Sequence, residues 1–381
     1  MSVLEPAGPE ELAEALREAA AAGQTIAVGG GFSKRAMGGP LFPAEITIVT
    51  RRLNRVLQYD PRDLTISVEA GMSFAELSRV LGGRGQMLPL DPFLPERATV
   101  GGVLAANISG PRRRLYGTAR DTLIGMRFVT LEGKLVESGG MVVKNVAGLD
   151  LARLMVGSFG TLAVVVAANF RLAPIPPAWR TFLQTFANIA RALEARDRIL
   201  KSVLQPAAVD LLNPQAAARL GLDGFLLAVE AGGTPAVLGR YAQELSGWRR
   251  LREDEASTFW RGVREFTPEF LAAHPDGAIV RVSSTLAGLK PVLESLEAPV
   301  VARAGSGILW AYFSECGAAA DWVQQAASRG WKVVMEFAPA ERKQELPLWP
   351  APGEDFQLMR RLKQMFDPRS LLNRGRLYGR I

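Results

Sequence analysis

The sequence predicts an α+β fold in two successive domains, closed by a C-terminal tail. Three observations point to it. Short apolar strand patterns alternate with helix patterns up to residue 172. Pro174, Pro176 and Pro177 (APIPPAW) then interrupt regular structure. From Arg180 onward, seven apolar strand candidates recur with helix-like runs between them. A chain of 381 residues has the length for two or three domains. The expected boundaries are 1–175 for the first domain, 178–350 for the second and 351–381 for the tail.

The elements follow in order. Residues 9–22 (PEELAEALREAAAA) read as a helix, with Pro9 in the first turn, acidic residues after it and Gly23 as its stop. A short strand over 25–28 runs into Gly29-Gly30-Gly31-Phe32-Ser33-Lys34. Strands are expected at 46–49 and 65–69, a helix at 73–81, a hairpin around Glu132-Gly133-Lys134 and a long strand at 162–172. In the second domain the strand candidates fall at 180–186, 203–211, 225–230, 278–284, 299–303, 307–313 and 331–337. Their order suggests two β-α-β-β-α-β units, with helices covering one face of an antiparallel sheet. A last helix at 354–366 leads into Asp367-Pro368 and SLLNRGRLYGRI.

Composition narrows the function. Apolar residues make up 48% and charged residues 22%, which excludes disordered, collagen-like and coiled-coil chains. The longest apolar run, 162–168 (LAVVVAA), is far below the ~20 residues of a membrane span. The start MSVLEPAGPEEL lacks a basic stretch followed by an apolar one, so the expected location is cytoplasmic, with contact to the inner face of a membrane only through partner chains. A net charge of +7 invites nucleic-acid binding, but the basic residues are scattered and carry no nucleic-acid signature. The one tight run is Arg112-Arg113-Arg114, which fits a solvated run, a phosphate contact or a docking patch, with docking favoured. One cysteine, Cys316, and one histidine, His274, exclude an internal disulfide, a self-contained iron–sulfur cluster and a multi-histidine metal site. Cys316 reads as a small core residue and His274, in LAAHPDG, as a solvated loop residue. Trp248, Trp260, Trp310, Trp322 and Trp331 read as packing residues, and Trp349 as part of a lid or interface loop.

Two glycine-rich blocks carry candidate chemistry. The GGGFSK loop directly follows a strand. Consecutive glycines permit positive φ and bring several N–H groups toward one point, which suits a diphosphate; a tight turn is the plainer reading. The loop is neither a P-loop nor a Rossmann loop, because Met37-Gly38-Gly39-Pro40 cannot open a helix. The second block, 89–117, supplies Thr99, Gly101, Gly102, Asn107, Ser109 and Gly110, small or polar groups that can lie against a large planar, phosphorylated ligand; a structural loop of ordinary turn residues is the reading that composition alone favours.

The ordered blocks GGGFS, LTISVEAG, ATVGGVLAANISG, YGTARD, KNVAGLDLARLMVGSFGTLAVVV and FDPRSLLNRGR resemble the FAD-binding family of vanillyl-alcohol oxidase type. Within it they are similar to the FAD-binding subunits of bacterial glycolate oxidases. The resemblance is dense over 1–175 and returns in the tail. It implies a two-part FAD-binding domain of the PCMH type, a cap domain and a tail returning toward the cofactor. It implies that Gly29, Gly30, Gly31, Phe32 and Ser33 wrap the diphosphate, and that Pro89, Leu90, Asp91, Thr99, Gly101 and Gly102 line the ribityl and flavin portions. Asn107, Ser109 and Gly110 continue that wall. Gly157, Gly160 and Val164 match the segment that pairs with the adenine edge, and Asn373 and Gly375 fall in the returning tail. Lys144 and Asn145 match a family motif with a structural role.

Departures refine this. Relatives with covalent flavin carry a histidine at the glycine loop or a cysteine later, whereas this loop has Phe32 and Ser33, so non-covalent FAD is expected. Hydroxy-acid dehydrogenases of the family read GSEG where this chain has Gly157-Ser158-Phe159-Gly160, and the tail has Asn373-Arg374-Gly375-Arg376 where proline commonly precedes glycine. The histidine-rich metal site of hydroxy-acid oxidising relatives is missing. The implied role is an FAD-binding subunit that relays electrons beside a catalytic flavin subunit and an iron–sulfur subunit of a glycolate oxidase complex. Its rivals are a stand-alone FAD-dependent dehydrogenase or oxidase of a small hydroxy acid or alcohol, and a non-catalytic scaffold.

Overall fold

The computed structural model describes residues 2–141 and 149–381. Lys144 and Asn145 lie outside the described residues. The chain divides into two compact units, one of Met1–Ser109, Thr118–Ile175 and Ala351–Ile381, the other of Gly110–Gly117 and Pro176–Pro350. The segment Gly110–Gly117 therefore groups with the second unit, although sequence alone assigns it to the first domain.

The first unit opens with β1 (Ser2–Leu4), α1 (Pro9–Ala21), β2 (Ile26–Gly29) and β3 (Ile46–Val49), and the three strands form a parallel sheet in the order β1-β3-β2. Next come β4 (Val56–Asp60), β5 (Thr65–Glu69), α2 (Phe74–Gly82), β6 (Gln86–Met87) and α3 (Val100–Ala105). The short α4 (Arg113–Tyr116) belongs to the second unit; α5 (Ala119–Thr122), β7 (Leu123–Val129), β8 (Leu135–Gly139), α6 (Leu151–Met155), β9 (Val164–Arg171) and β10 (Ala173–Pro174) complete the first pass. A five-stranded antiparallel sheet has the order β4-β5-β9-β7-β8.

The continuous apolar run of β9 is explained by burial on both faces. Val164 and Val166 join the core under α1, with Leu12, Leu16, Ile26 and Ile48. Val165, Ala168 and Phe170 join a second core with Ile66, Leu77 and Phe128. A strand covered on both sides cannot alternate apolar with polar. Ser73 caps α2 by accepting from the Glu76 N–H, and Thr99 caps α3 by accepting from Gly102.

The second unit carries β11 (Ala178–Phe186), α7 (Ile189–Lys201), β12 (Ala208–Leu212), α8 (Pro214–Arg219), β13 (Phe225–Gly233), α9 (Pro235–Glu244) and β14 (Arg249–Arg250). The long α10 (Glu253–Ala273) leads to β15 (Ala278–Ser283), α11 (Leu289–Glu294), β16 (Val300–Arg303), β17 (Ile308–Phe313), α12 (Cys316–Ser328) and β18 (Lys332–Phe337). These strands make one eight-stranded antiparallel sheet, β14-β11-β13-β12-β16-β17-β15-β18. The second half is a β-α-β-β-α-β unit and the first repeats it with the short α8 added between β12 and β13; the halves meet where Leu211 pairs with Ala302. One face feeds a single core, including Val209, Leu227, Val280, Ala302 and Leu309, with α7, α11 and α12. The strand expected from 203 begins only at Ala208, because Pro206 has no N–H for a ladder. The tail helix α13 (Asp355–Phe366) precedes the final residues.

Candidate cofactor site

β2 delivers the chain into Gly29, Gly30 and Gly31, and the reason for the glycines differs from the sequence expectation. None of the three has positive φ; in this loop that conformation falls on Phe32, at 53°. The glycines are needed for close approach instead. A β-carbon on Gly31 would fall on the Arg97 carbonyl, one on Gly30 would strike the Thr99 side chain and one on Gly29 the Phe32 ring. The loop is thus pressed onto 97–99, which brings the two glycine-rich blocks of the sequence together.

The main-chain N–H groups of Gly31, Phe32 and Ser33 donate to no acceptor among the described residues. All three residues line a cavity of about 360 Å³ in the first unit. Successive free N–H groups form an anion-binding concavity. Lys34 and Arg35 line the same cavity, and Lys34 Nζ donates to the Phe93 carbonyl at 2.9 Å and to Ser33 Oγ at 3.2 Å. Leu41, Phe42, Pro43 and Ala27 add an apolar stretch of wall. The cavity therefore offers main-chain donors and cations to an anion, and apolar contact to the group attached to it.

The tail holds the loop from behind. Asn373 accepts from the Val28 N–H at 2.8 Å and donates to the Phe159 carbonyl at 2.9 Å. Arg376 is buried and donates to the carbonyls of Arg35 at 2.8 Å, Lys34 at 3.3 Å and Met37 at 2.6 Å. Burial pushes the pKa of this guanidinium down to about 10, with the charge of Arg35 a second cause. Its Cζ lies 5.3 Å from the Phe159 ring centroid, and Phe159 itself has φ of 54°. The helix before the tail is pinned too: Lys363 donates to Asp367 at 2.6 Å and to the Thr161 carbonyl at 2.8 Å, and burial lowers its pKa.

Of the residues expected around the cofactor, Gly29, Gly30, Gly31, Phe32, Ser33, Thr99 and Gly102 line this cavity, and Asn373 joins them. Pro89, Leu90, Asp91, Gly101, Asn107, Ser109, Gly110, Gly157, Gly160 and Val164 are not part of its wall. Leu90 is fully buried in the core with Ile66 and Phe128. Gly101 packs on Ala70, to whose carbonyl its N–H donates at 2.7 Å. Gly157, at φ of 83°, bonds to the Leu104 carbonyl behind α3, and Gly160 sits against the Asn373 amide. Val164 points its side chain into the core under α1 and pairs with Val129. Gly375, at φ of 78°, packs against the Phe42 ring.

Sequence reasoning missed Lys34, Arg35 and Arg376 as parts of this site. The signal was present as KR two residues after the glycines and as the last arginine of NRGR.

The arginine run is not a free patch. Arg112 bonds Glu230 at 2.9 Å and lies 4.6 Å from the Trp179 ring centroid, and Arg114 donates to the Pro206 carbonyl at 3.1 Å. The Arg112 and Arg114 side chains are thus engaged within the second unit. His274 also differs from a freely solvated residue: it caps α10, stacks on Phe270 at 4.3 Å and bonds its carbonyl. Cys316 is fully buried at the start of α12, and burial raises its thiol pKa. Trp260 and Trp310 donate to Thr181 and Glu336, while Trp248, Trp322, Trp331 and Trp349 pack with the core.

Among the described residues there is no cluster of three or more metal-ligating side chains, and no helix is long and apolar enough to cross a membrane. The family description "FAD binding domain" matches residues 2–139, and "FAD linked oxidases, C-terminal domain" matches 342–377. The chain is 30% identical to glycolate oxidase subunit GlcE of Escherichia coli K12 over 98% of both chains. It is 33% identical to glycolate oxidase subunit GlcD of Bacillus subtilis over 44% of this chain, but covers only 36% of that protein. Alkyldihydroxyacetonephosphate synthase shares the fold with a TM-score of 0.74 at 18% identity, over 97% of this chain and 76% of that one. The free N–H groups and the cations beside them fit the diphosphate of FAD, the cofactor that the matching family description names. The chain belongs to the FAD-linked oxidases with a PCMH-type FAD-binding domain and, among them, to the family of glycolate oxidase subunit GlcE.

Proposed function

We propose that this chain is the FAD-binding subunit of a glycolate-oxidase-type complex, which holds FAD non-covalently and relays electrons. A catalytic flavin subunit oxidises the 2-hydroxy acid, and an iron–sulfur subunit accepts the electrons. The observation that carries the proposal is the cradle of free N–H groups at Gly31, Phe32 and Ser33, set between Lys34 and Arg35 and strapped by Arg376. These donors bind the diphosphate without a covalent bond, because neither histidine nor cysteine is part of the cavity wall. Arg97 and Thr99 hold the loop at its working distance, and Asn373 fixes β2 at the point where the loop begins. When bound, FAD accepts an electron pair and can hand on its electrons singly. The single histidine of the chain caps α10 and bonds its own helix, so no imidazole base stands ready for a hydroxy acid.

A further support is the extent of the similarities. The GlcE relative matches end to end, whereas the GlcD relative matches over less than half of this chain. The test is glycolate and D-lactate turnover with an artificial acceptor, first with the FAD-loaded chain alone and then with both partner subunits added. Activity in the complex together with little or none in the chain alone is the expected result. Comparable rates in the two would favour a stand-alone dehydrogenase, and a purified chain that binds no flavin would favour a scaffold.

A further inference from the structure

The segment between the glycine loop and β3 is anchored at both ends and loosely held between them. At one end Gly38 has φ of 80°, and the Gly39 N–H donates to the Arg376 carbonyl at 2.9 Å. At the other, Glu45 donates its N–H to the Thr25 carbonyl at 3.0 Å, and its carboxylate accepts from the Thr25 N–H at 2.8 Å. Between these anchors Leu41, Phe42 and Ala44 make no main-chain hydrogen bond among the described residues. Backbone with so few bonds opens locally at low free energy. The same segment forms part of the wall of the cavity that contains the N–H cradle, where Leu41 and Phe42 are each 38% exposed. Other stretches of that wall, Ala27–Gly29 and Gly102 with Ala105, stand on β2 and α3. One residue fastens the segment to the tail. Arg374 donates to the Pro43 carbonyl at 3.1 Å, and its Cζ lies 6.0 Å from the Phe42 ring centroid. The next residue, Gly375, lets that ring pack on the tail backbone, since a β-carbon there would strike it. Arg374 is exposed, and an exposed hydrogen bond adds only modestly to stability.

We propose that residues 41–44 are a lid on the FAD cavity and that Arg374 is its latch, which sets how fast the cofactor enters and leaves rather than how tightly it is held. The proposal rests on the FAD-binding reading above. Closure over a ligand removes the Leu41 and Phe42 side chains from water, which favours the closed state. Arg374 is not part of the cavity wall, so it acts on the lid and not on the cofactor. Breaking its contacts frees the lid whether the cavity is filled or empty, and entry and exit quicken together. A cation that merely attracted the anionic cofactor would act the other way, because its loss slows association.

The test uses the full chain freed of flavin, with FAD association and dissociation followed by stopped-flow fluorescence. In Arg374→Met both rate constants are expected to rise roughly fivefold or more while Kd stays within about threefold of wild type. Arg369→Met removes another exposed arginine of the tail and is expected to leave both rates unchanged. Melting temperatures report whether the variants fold. Limited chymotrypsin digestion tests the lid in the wild-type chain itself, by cleavage after Leu41; the bond after Phe42 is blocked by Pro43. That cleavage is expected in the flavin-free protein, faster in Arg374→Met and suppressed by saturating FAD. Unchanged rates in Arg374→Met, slower association, or faster dissociation alone overturns the lid and leaves the FAD-binding reading intact. So does cleavage after Leu41 that is absent from the flavin-free protein or is not slowed by FAD. A wild-type chain that takes up no FAD overturns both.

Discussion

Gly31 has no room for a β-carbon, because that atom would occupy the carbonyl of Arg97. Gly31→Ala is therefore expected to push the loop out of position and cut flavin occupancy of the purified protein to below a tenth, read from the ratio of 450 to 280 nm absorbance. Ser33→Ala should leave occupancy within about twofold, since the Ser33 hydroxyl only accepts from Lys34 and the main chain does the binding. Equal losses in both variants would contradict a main-chain cradle. A second residue-scale effect concerns Tyr312, which burial pushes up to about 12. The folded chain keeps this phenol protonated where the unfolded chain, titrating near 10, has lost its proton. The contribution is thus fully present below pH 10 and is lost as pH rises toward 12, by on the order of 2 kcal/mol. Tyr241, also raised to about 12 by burial, acts in the same direction. Tyr312→Phe should reduce, without abolishing, the alkaline decline in urea-unfolding stability; identical slopes would show that the phenol does not titrate with unfolding.

At the scale of elements, β2, the glycine loop and the C-terminal tail work as one device. β2 is paired with β3 on one side and with the tail on the other, where the Ile26 N–H donates to the Leu371 carbonyl and the Asn373 N–H to the Ile26 carbonyl. Arg376 then closes over the turn at Lys34, Arg35 and Met37. Removing that guanidinium leaves buried carbonyls without their donor, which costs roughly 1–3 kcal/mol. Arg376→Met is expected to weaken FAD binding at least tenfold in titration of the apoprotein, with the second unit's unfolding unchanged. An unaltered dissociation constant would show that the strap does not support the cradle.

For the whole molecule, the two uncommon nucleophiles are both committed elsewhere. Cys316 is closed inside the second unit's core and His274 is stacked on Phe270. Trichloroacetic acid precipitation of the holoprotein should accordingly release all flavin to the supernatant. Yellow colour or fluorescence retained in the washed pellet would show a covalent bond.

Much of the architecture was legible because its signals are local. Apolar alternation and continuous runs placed β3 and β5 at their observed bounds, Gly23 marked the end of α1, and the proline cluster at 174–177 fell at the junction of the two units. The glycine loop and the order of motifs pointed to FAD before any geometry was known. Tertiary structure decided what long-range contact decides. Only the fold shows that Gly30 and Gly31 are small because Thr99 and Arg97 press on them, rather than to allow positive φ. Only the fold spends Arg112 on Glu230 and Arg114 on Pro206, so that two of the three cations of the run are committed within the chain. It also brings Arg376 back across more than three hundred residues to the loop after β2. A sequence states which groups a segment carries; which of them remain free for a ligand depends on the partners that distant segments supply.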